Sequence, residues 1–305
     1  MRIDRLSRRV LCVLWLGLAV SAGASSLPEP SMNTIPLPGA GVLGSRLEMP
    51  VLVYLPAGKG PFPVLVFSHG RAGSAHERQR LQHPLGRSQL EYWLGKGFAI
   101  VAAIRPGYGS TGGGDPEYHA SHFSQPGQCE GNPDYSTVAA AGSKAVLASI
   151  AWVRQQTWAA GQPIVLEGQS VGGLLTVAVA ATHPSGVIGY INFAGGAGGN
   201  PEKSPGQSCE PEKLTELYAA LGRQTTLPNV WIYAQNDQYW GPEQPLLWHK
   251  AFAAGGSTTR FIHAAAVADG DGHGLSRHEA DLWSGYLDDF LKMLGDSLNN
   301  LPVQP

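Results

Sequence analysis

The stretch Pro163-Ile-Val-Leu-Glu-Gly-Gln-Ser-Val-Gly-Gly173 constrains the fold more than any other. Ile164, Val165 and Leu166 form a short apolar run, the composition of a strand buried on both faces. Gly168-Gln169-Ser170-Val171-Gly172 follows at once, and Leu174 to Thr182 reads as an Ala/Leu/Val helix. A serine inside G-x-S-x-G, between a strand and a helix, is the nucleophile-elbow pattern. The turn is so sharp that side chains two positions before and after the serine would collide, so both positions need glycine. Such a turn presents the Ser170 hydroxyl clear of the backbone and over a helix N-terminus, which favours negative charge. A Gly-rich chain meets the bare pattern by chance, but here the strand, the helix and the extra Gly173 accompany it.

The rest of the chain repeats the same alternation. Arg46–Leu55, Pro63–Ser68, Phe98–Ile104, Val187–Phe193, Asn229–Ala234 and Arg260–Ala265 read as strands. Helices are predicted over Ser88–Gly95, Thr137–Gln156, Glu210–Leu221, Glu243–Ala253 and Arg277–Leu294. Ser25 to Gly44, rich in Pro, Gly and Ser, is expected to be an extended arm, and Ser110 to Tyr135, with little periodicity, an irregular excursion. Most of these strands are solid apolar runs rather than alternating ones. They therefore predict an α/β fold with a mostly parallel central sheet and helices on both faces. Hydrophobic residues at 43% supply a large core. With no internal repeat or linker, residues 25–305 are expected to form one domain.

Residues 1–24 read as a secretory signal peptide. Arg2, Arg5, Arg8 and Arg9 precede an apolar run from Val10 to Val20, and Ala22-Gly23-Ala24 offers a small-x-small cleavage site after Ala24. An uncleaved anchor is the alternative, although the run is short for a membrane span; no later segment reads as one. A periplasmic or secreted chain loses Cys12 and keeps Cys129 and Cys209, which are predicted to pair in an oxidising compartment. Two free thiols are the other reading. Both cysteines fall in loops that follow strands, so the bridge is expected to staple a small cap beside the site. The net charge of −2 gives no electrostatic case for nucleic acid or an anionic membrane. The expected partner is a small-molecule or polymer substrate.

A serine hydroxyl needs a base to take its proton, and that base needs an acid to fix its tautomer. The expected chain order is Ser, then Asp or Glu, then His. Asp237 ends the run Trp231-Ile-Tyr-Ala-Gln-Asn-Asp237, and His273 lies in Asp269-Gly-Asp-Gly-His273-Gly274 after the last strand. Asp269 and Asp271 are rival acids, but their position beside the histidine suits them better to shaping its loop. Oxyanion donors are expected from the backbone N–H of Val171 and from Arg71, with Gly70 second, in the loop His69-Gly70-Arg71. The Arg71 side chain is open between a structural ion pair and a substrate carboxylate. Tyr239 and Trp240 either line an aromatic pocket or pack the core. His119 and His122 have only a loose H-x-x-H spacing, so no metal is expected.

Gly60-Pro-Phe-Pro-Val-Leu-Val-Phe-Ser-His-Gly70, Arg105-Pro-Gly-Tyr-Gly109-Ser110, Gly168-Gln-Ser-Val-Gly-Gly173, Asn236-Asp237 and Asp271-Gly-His273 together carry a resemblance. Over roughly Arg46 to Leu294 the chain resembles the α/β-hydrolase superfamily, most of all its dienelactone-hydrolase-like branch. The resemblance implies a Ser170–His273–Asp237 triad, no metal or organic cofactor, and hydrolysis of carboxylic esters through an acyl-enzyme. Dienelactone hydrolase carries a cysteine at the elbow, where this chain has Ser170, so the resemblance points to a serine esterase rather than to that activity. A serine peptidase of the same fold and a non-catalytic binding protein are the rival readings; such peptidases usually carry a propeller or larger cap than this length accommodates.

Overall fold

Strands that are apolar on both faces must be covered on both, and that requirement builds the molecule. The computed structural model describes residues 27–38, 44–118 and 122–295. The predicted leader with Cys12, and His119, lie outside the described residues. Among those described, the main sheet holds eight strands: β1 (Ser31–Leu37), β2 (Leu47–Tyr54), β3 (Val64–Ser68), β4 (Ala99–Ala103), β7 (Ile164–Gln169), β8 (Val187–Phe193), β9 (Asn229–Ala234) and β10 (Thr259–Ala264). A small hairpin, β5 (Phe123–Gln125) with β6 (Gln128–Cys129), stands apart. The spatial order is β1-β2-β4-β3-β7-β8-β9-β10. β2 pairs antiparallel with both β1 and β4; every later pairing in the sheet is parallel.

Successive strand residues point to opposite faces. Val64, Val66, Ile164 and Leu166 join one core with α3 (Tyr135–Val153), α4 (Val171–Ala180), α5 (Pro211–Gly222) and α6 (Gln244–Ala253). Leu65, Phe67 and Val165 join the other, beneath α2 (Arg87–Gly95) and α7 (Ser284–Met293). α4 is buried along its whole length, which is why it is apolar all round rather than amphipathic. By length and composition α3 could cross a bilayer, but half of it is buried, and Val138, Val146 and Ile150 lie in the first core.

The expected α/β architecture is borne out, with three local differences. The extended arm is an edge strand, β1, whose Ile35 and Leu37 are buried. A short helix, α1 (Ala75–Gln79), follows the His69 loop, held by a reciprocal Ser74–Glu77 capping box. The final helix begins at Ser284 and not at Arg277, so His278 closes a 3-10 turn instead of opening a helix. The physical reason is that residues 272–276 are committed to bringing His273 inward: His273, Leu275 and Ser276 are buried there.

Cys129 and Cys209 form a disulfide across 80 positions. It joins the β5–β6 hairpin to the loop that follows β8, and Tyr135 Oη donates to the Cys209 carbonyl alongside it. His122, beside the hairpin, and Ala197–Glu202, in the loop, line one cavity, so the bridge ties together two parts of its wall. Replacing both cysteines by serine is expected to lower stability by about 4 kcal/mol on the chain-entropy argument and to raise KM. Thermal melts and ester kinetics check this; an unchanged KM would leave the bridge a structural staple alone.

Candidate active site

β7 ends at Gln169 and α4 begins at Val171, which leaves Ser170 to make the whole turn. It does so at φ 58° and ψ −126°, a left-handed conformation that costs a non-glycine residue of order 1–3 kcal/mol. The flanking glycines are required. A Cβ on Gly168 would lie 2.0 Å from the Gly172 carbonyl oxygen, and one on Gly172 would lie 2.0 Å from that of Ser68. The Ser170 hydroxyl caps no helix amide.

Asp237 and His273 arrive from the ends of β9 and β10. The His273 Nδ1–H donates to Asp237, with Nδ1 3.2 Å from Oδ1 and 3.1 Å from Oδ2. Asp237 is itself fixed, because Oδ1 accepts from the Tyr239 and Trp240 amides at 2.8 and 3.1 Å. All three residues are buried, with exposures of 6% for Ser170, 2% for Asp237 and 8% for His273. Gln169, beside the serine, donates through Nε2 to the His273 carbonyl at 3.1 Å. The histidine loop is therefore anchored directly to the elbow.

The two loops are latched to each other by Asn236, for which no such role is expected from sequence, and by Asp271, which is expected to shape the histidine loop. Asn236 donates to the Val267 and Gly270 carbonyls and accepts from the Val267 amide. Asp271 returns the connection, accepting from the amides of Gln238 and His273, each at 2.9 Å. Asp271 thus shapes the histidine loop, while Asp237 is the acid that meets the ring. The imidazole is boxed by aromatics: Tyr239 stacks on it at 4.0 Å and Trp240 meets it edge-on at 5.3 Å. Both aromatics also line the cavity over Ser170.

The His69 loop lies against the elbow on the other side. A Cβ on Gly70 would stand 3.1 Å from the Ser170 Cβ, and Arg71, Ser170 and Val171 line the same cavity. His69 is buried, and burial together with the nearby Arg105 charge holds its pKa well below the ordinary value, so the ring is neutral. Its Nδ1–H donates to the Gly70 carbonyl at 2.8 Å, and its Nε2 accepts from the Arg105 amide at 3.3 Å. With the Gly70 carbonyl held toward His69, the Arg71 N–H, opposite it across a trans peptide, points away from that ring. The Arg71 side chain makes an ion pair with Asp115 at 2.7 Å, which Arg78 shares at 3.4 Å.

Behind this loop sits a buried charge network. Glu117 Oε1 accepts from Arg105 Nε at 2.9 Å and Nη2 at 2.6 Å, and Oε2 accepts from the Tyr108 hydroxyl at 2.8 Å. Arg105 Nη1 donates in turn to the His69 carbonyl and the Ser68 hydroxyl. A second buried carboxylate, Glu167, immediately precedes Gly168 and accepts from Gln89 and Trp93; burial pushes its pKa up to about 7. His122 pairs with Glu130 at 3.1 Å. No group of three or more His, Cys, Asp or Glu side chains is gathered for a metal among the described residues.

A family model described as the alpha/beta hydrolase fold matches residues 63–195, from β3 through β8. Among solved structures, the acylaminoacyl peptidase of Pyrococcus horikoshii superposes with a TM-score of 0.58 at 15% identity. The match covers 92% of this chain and 43% of that one, so the chain spans less than half the peptidase's length. The α/β-hydrolase fold is the fold of this chain. Two other solved proteins share it over nearly their whole length. Est1E from Butyrivibrio proteoclasticus has a TM-score of 0.53 at 14% identity, covering 87% of this chain and 98% of its own. The Pyrococcus furiosus esterase Pf2001 gives 0.54 at 13%, covering 87% and 92%. No curated protein matches the sequence.

Proposed function

We propose that the chain is an exported serine hydrolase of carboxylic esters. Ser170 attacks the acyl carbon, and His273 takes the hydroxyl proton and returns it to the leaving alcohol. Asp237 holds the Nδ1–H tautomer and stabilises the imidazolium that forms. The amides of Val171 and Arg71, with Gly70 at the turn between them, receive the oxyanion. Water then releases the acyl-enzyme by the same proton path, so no metal or organic cofactor takes part. The observation that carries this reading is an acid–imidazole pair whose loop is tied, through Gln169 and the His273 carbonyl, to the elbow that bears the strained Ser170.

Within the fold, the motifs quoted above favour the dienelactone-hydrolase-like branch, with serine as nucleophile. The disulfide accords with an oxidising compartment, and with it export after cleavage at Ala24. Incubation with a fluorophosphonate should add its mass to the peptide containing Ser170 and block hydrolysis of p-nitrophenyl acetate. Ester turnover with no label on Ser170 would remove that serine from the mechanism; neither label nor turnover would favour a binding protein. Peptide anilides cleaved at rates rivalling esters would move the chain to the peptidase reading, which the Pyrococcus horikoshii likeness keeps in view.

A further inference from the structure

We infer that the ester this chain hydrolyses has a short acyl group and a neutral, hydroxyl-rich alcohol of the sugar type. This rests on the ester-hydrolase reading of Ser170 and narrows it. The cavity over Ser170 is about 560 Å³, large enough for an acyl group and a ring together. Its lining, however, is not that of a lipid site. Among the described residues it contains no Leu, Ile, Met or Phe. The apolar surface comes from Val171, Ala197, Pro201, Tyr239 and Trp240, and the two large rings pack on His273. They form a local wall beside the base.

The rest of the wall is polar. Glu77, His122, Asn200 and Glu202 line it, and Gly198 and Gly199 present backbone in place of side chains. At Gly199 a Cβ would fall 2.7 Å from the Trp240 ring, so that stretch is held to bare backbone by packing. A methylene gains roughly fourfold in affinity when it leaves water for apolar surroundings. Against carboxylates, an amide side chain and peptide groups that gain is lost, so lengthening the acyl chain brings nothing.

Hydroxyl groups suit the same wall, because each both donates and accepts. Glu77, Glu202 and peptide carbonyls offer acceptors, while Arg71 and the Asn200 amide offer donors. An anionic substrate group finds no free counter-ion in Arg71. Arg71 is paired with Asp115, which Arg78 also approaches, and charges of both signs stand around the cavity.

An ester series and a substrate pair test this with the full chain. Along p-nitrophenyl acetate, butyrate, octanoate and laurate, kcat/KM should not rise from the short esters to octanoate, where an apolar site would raise it about fourfold per methylene. A monoacetylated methyl glycoside should be cleaved with a higher kcat/KM than cyclohexyl acetate, a ring of similar size without hydroxyls. Glu202→Ala should raise KM for the sugar acetate about tenfold, the worth of one hydrogen bond to a charged group. Preference for octanoate or laurate, or equal use of cyclohexyl acetate, overturns the inference and leaves the esterase reading standing. No turnover of any ester overturns that reading and takes this inference with it.

Discussion

Ester hydrolysis by the Ser170→Ala variant is expected to fall by roughly 10⁴- to 10⁶-fold in kcat, the cost usually seen on removing a triad nucleophile. The fold should survive the change. Alanine retains the Cβ that the turn already accommodates, and the lost hydroxyl caps no helix amide. Melting temperature and circular dichroism should therefore stay near those of the parent while turnover disappears. The loss should not add to that of its partners. With the nucleophile gone, the imidazole held by Asp237 has no proton to take, so Ser170→Ala/His273→Ala should be hardly slower than Ser170→Ala alone. Activity that persists in the single variant, or a double variant slower by the product of both losses, would mean that the residues do not work as one unit.

Most of what that prediction uses was legible in the chain. Ser170 was readable because a sharp turn leaves a local mark, glycines at fixed offsets between a strand and a helix. Asp237 and His273 followed from chain order and from their places just beyond apolar strands. Both arguments need only local sequence and the rule that ligands gather at the carboxyl ends of parallel strands. Asp271 was readable as a shaper of the histidine loop from its place beside His273, but the latch between the two loops was beyond that reach. Asn236 and Asp271 work by satisfying backbone groups of each other's loop, and such pairing has no period or spacing to reveal it. The same holds for Arg71, whose partner Asp115 lies 44 residues away. The misplaced start of the last helix has a related cause: local helix preference over residues 277–283 gives way to the buried histidine loop just before it.

Glu117 is the clearest residue of this hidden kind, and Glu117→Ala should destabilise the fold by about 3–5 kcal/mol, the cost of stranding a buried charge. Its carboxylate is fully buried and the Arg105 side chain is 2% exposed, so water cannot replace the lost partner. Arg105 would keep its charge and only its neutral contacts with the Ser68 hydroxyl and the His69 carbonyl. Because those contacts hold the loop that carries Gly70 and Arg71, kcat for ester hydrolysis should drop as well. The control is to remove both charges. A buried ion pair offsets much of its own desolvation cost and little more, so Arg105→Met/Glu117→Leu should be more stable in urea than Glu117→Ala alone. A double variant that is the less stable of the two would show that the arginine's bonds to the His69 loop, rather than charge neutralisation, keep this part of the molecule folded.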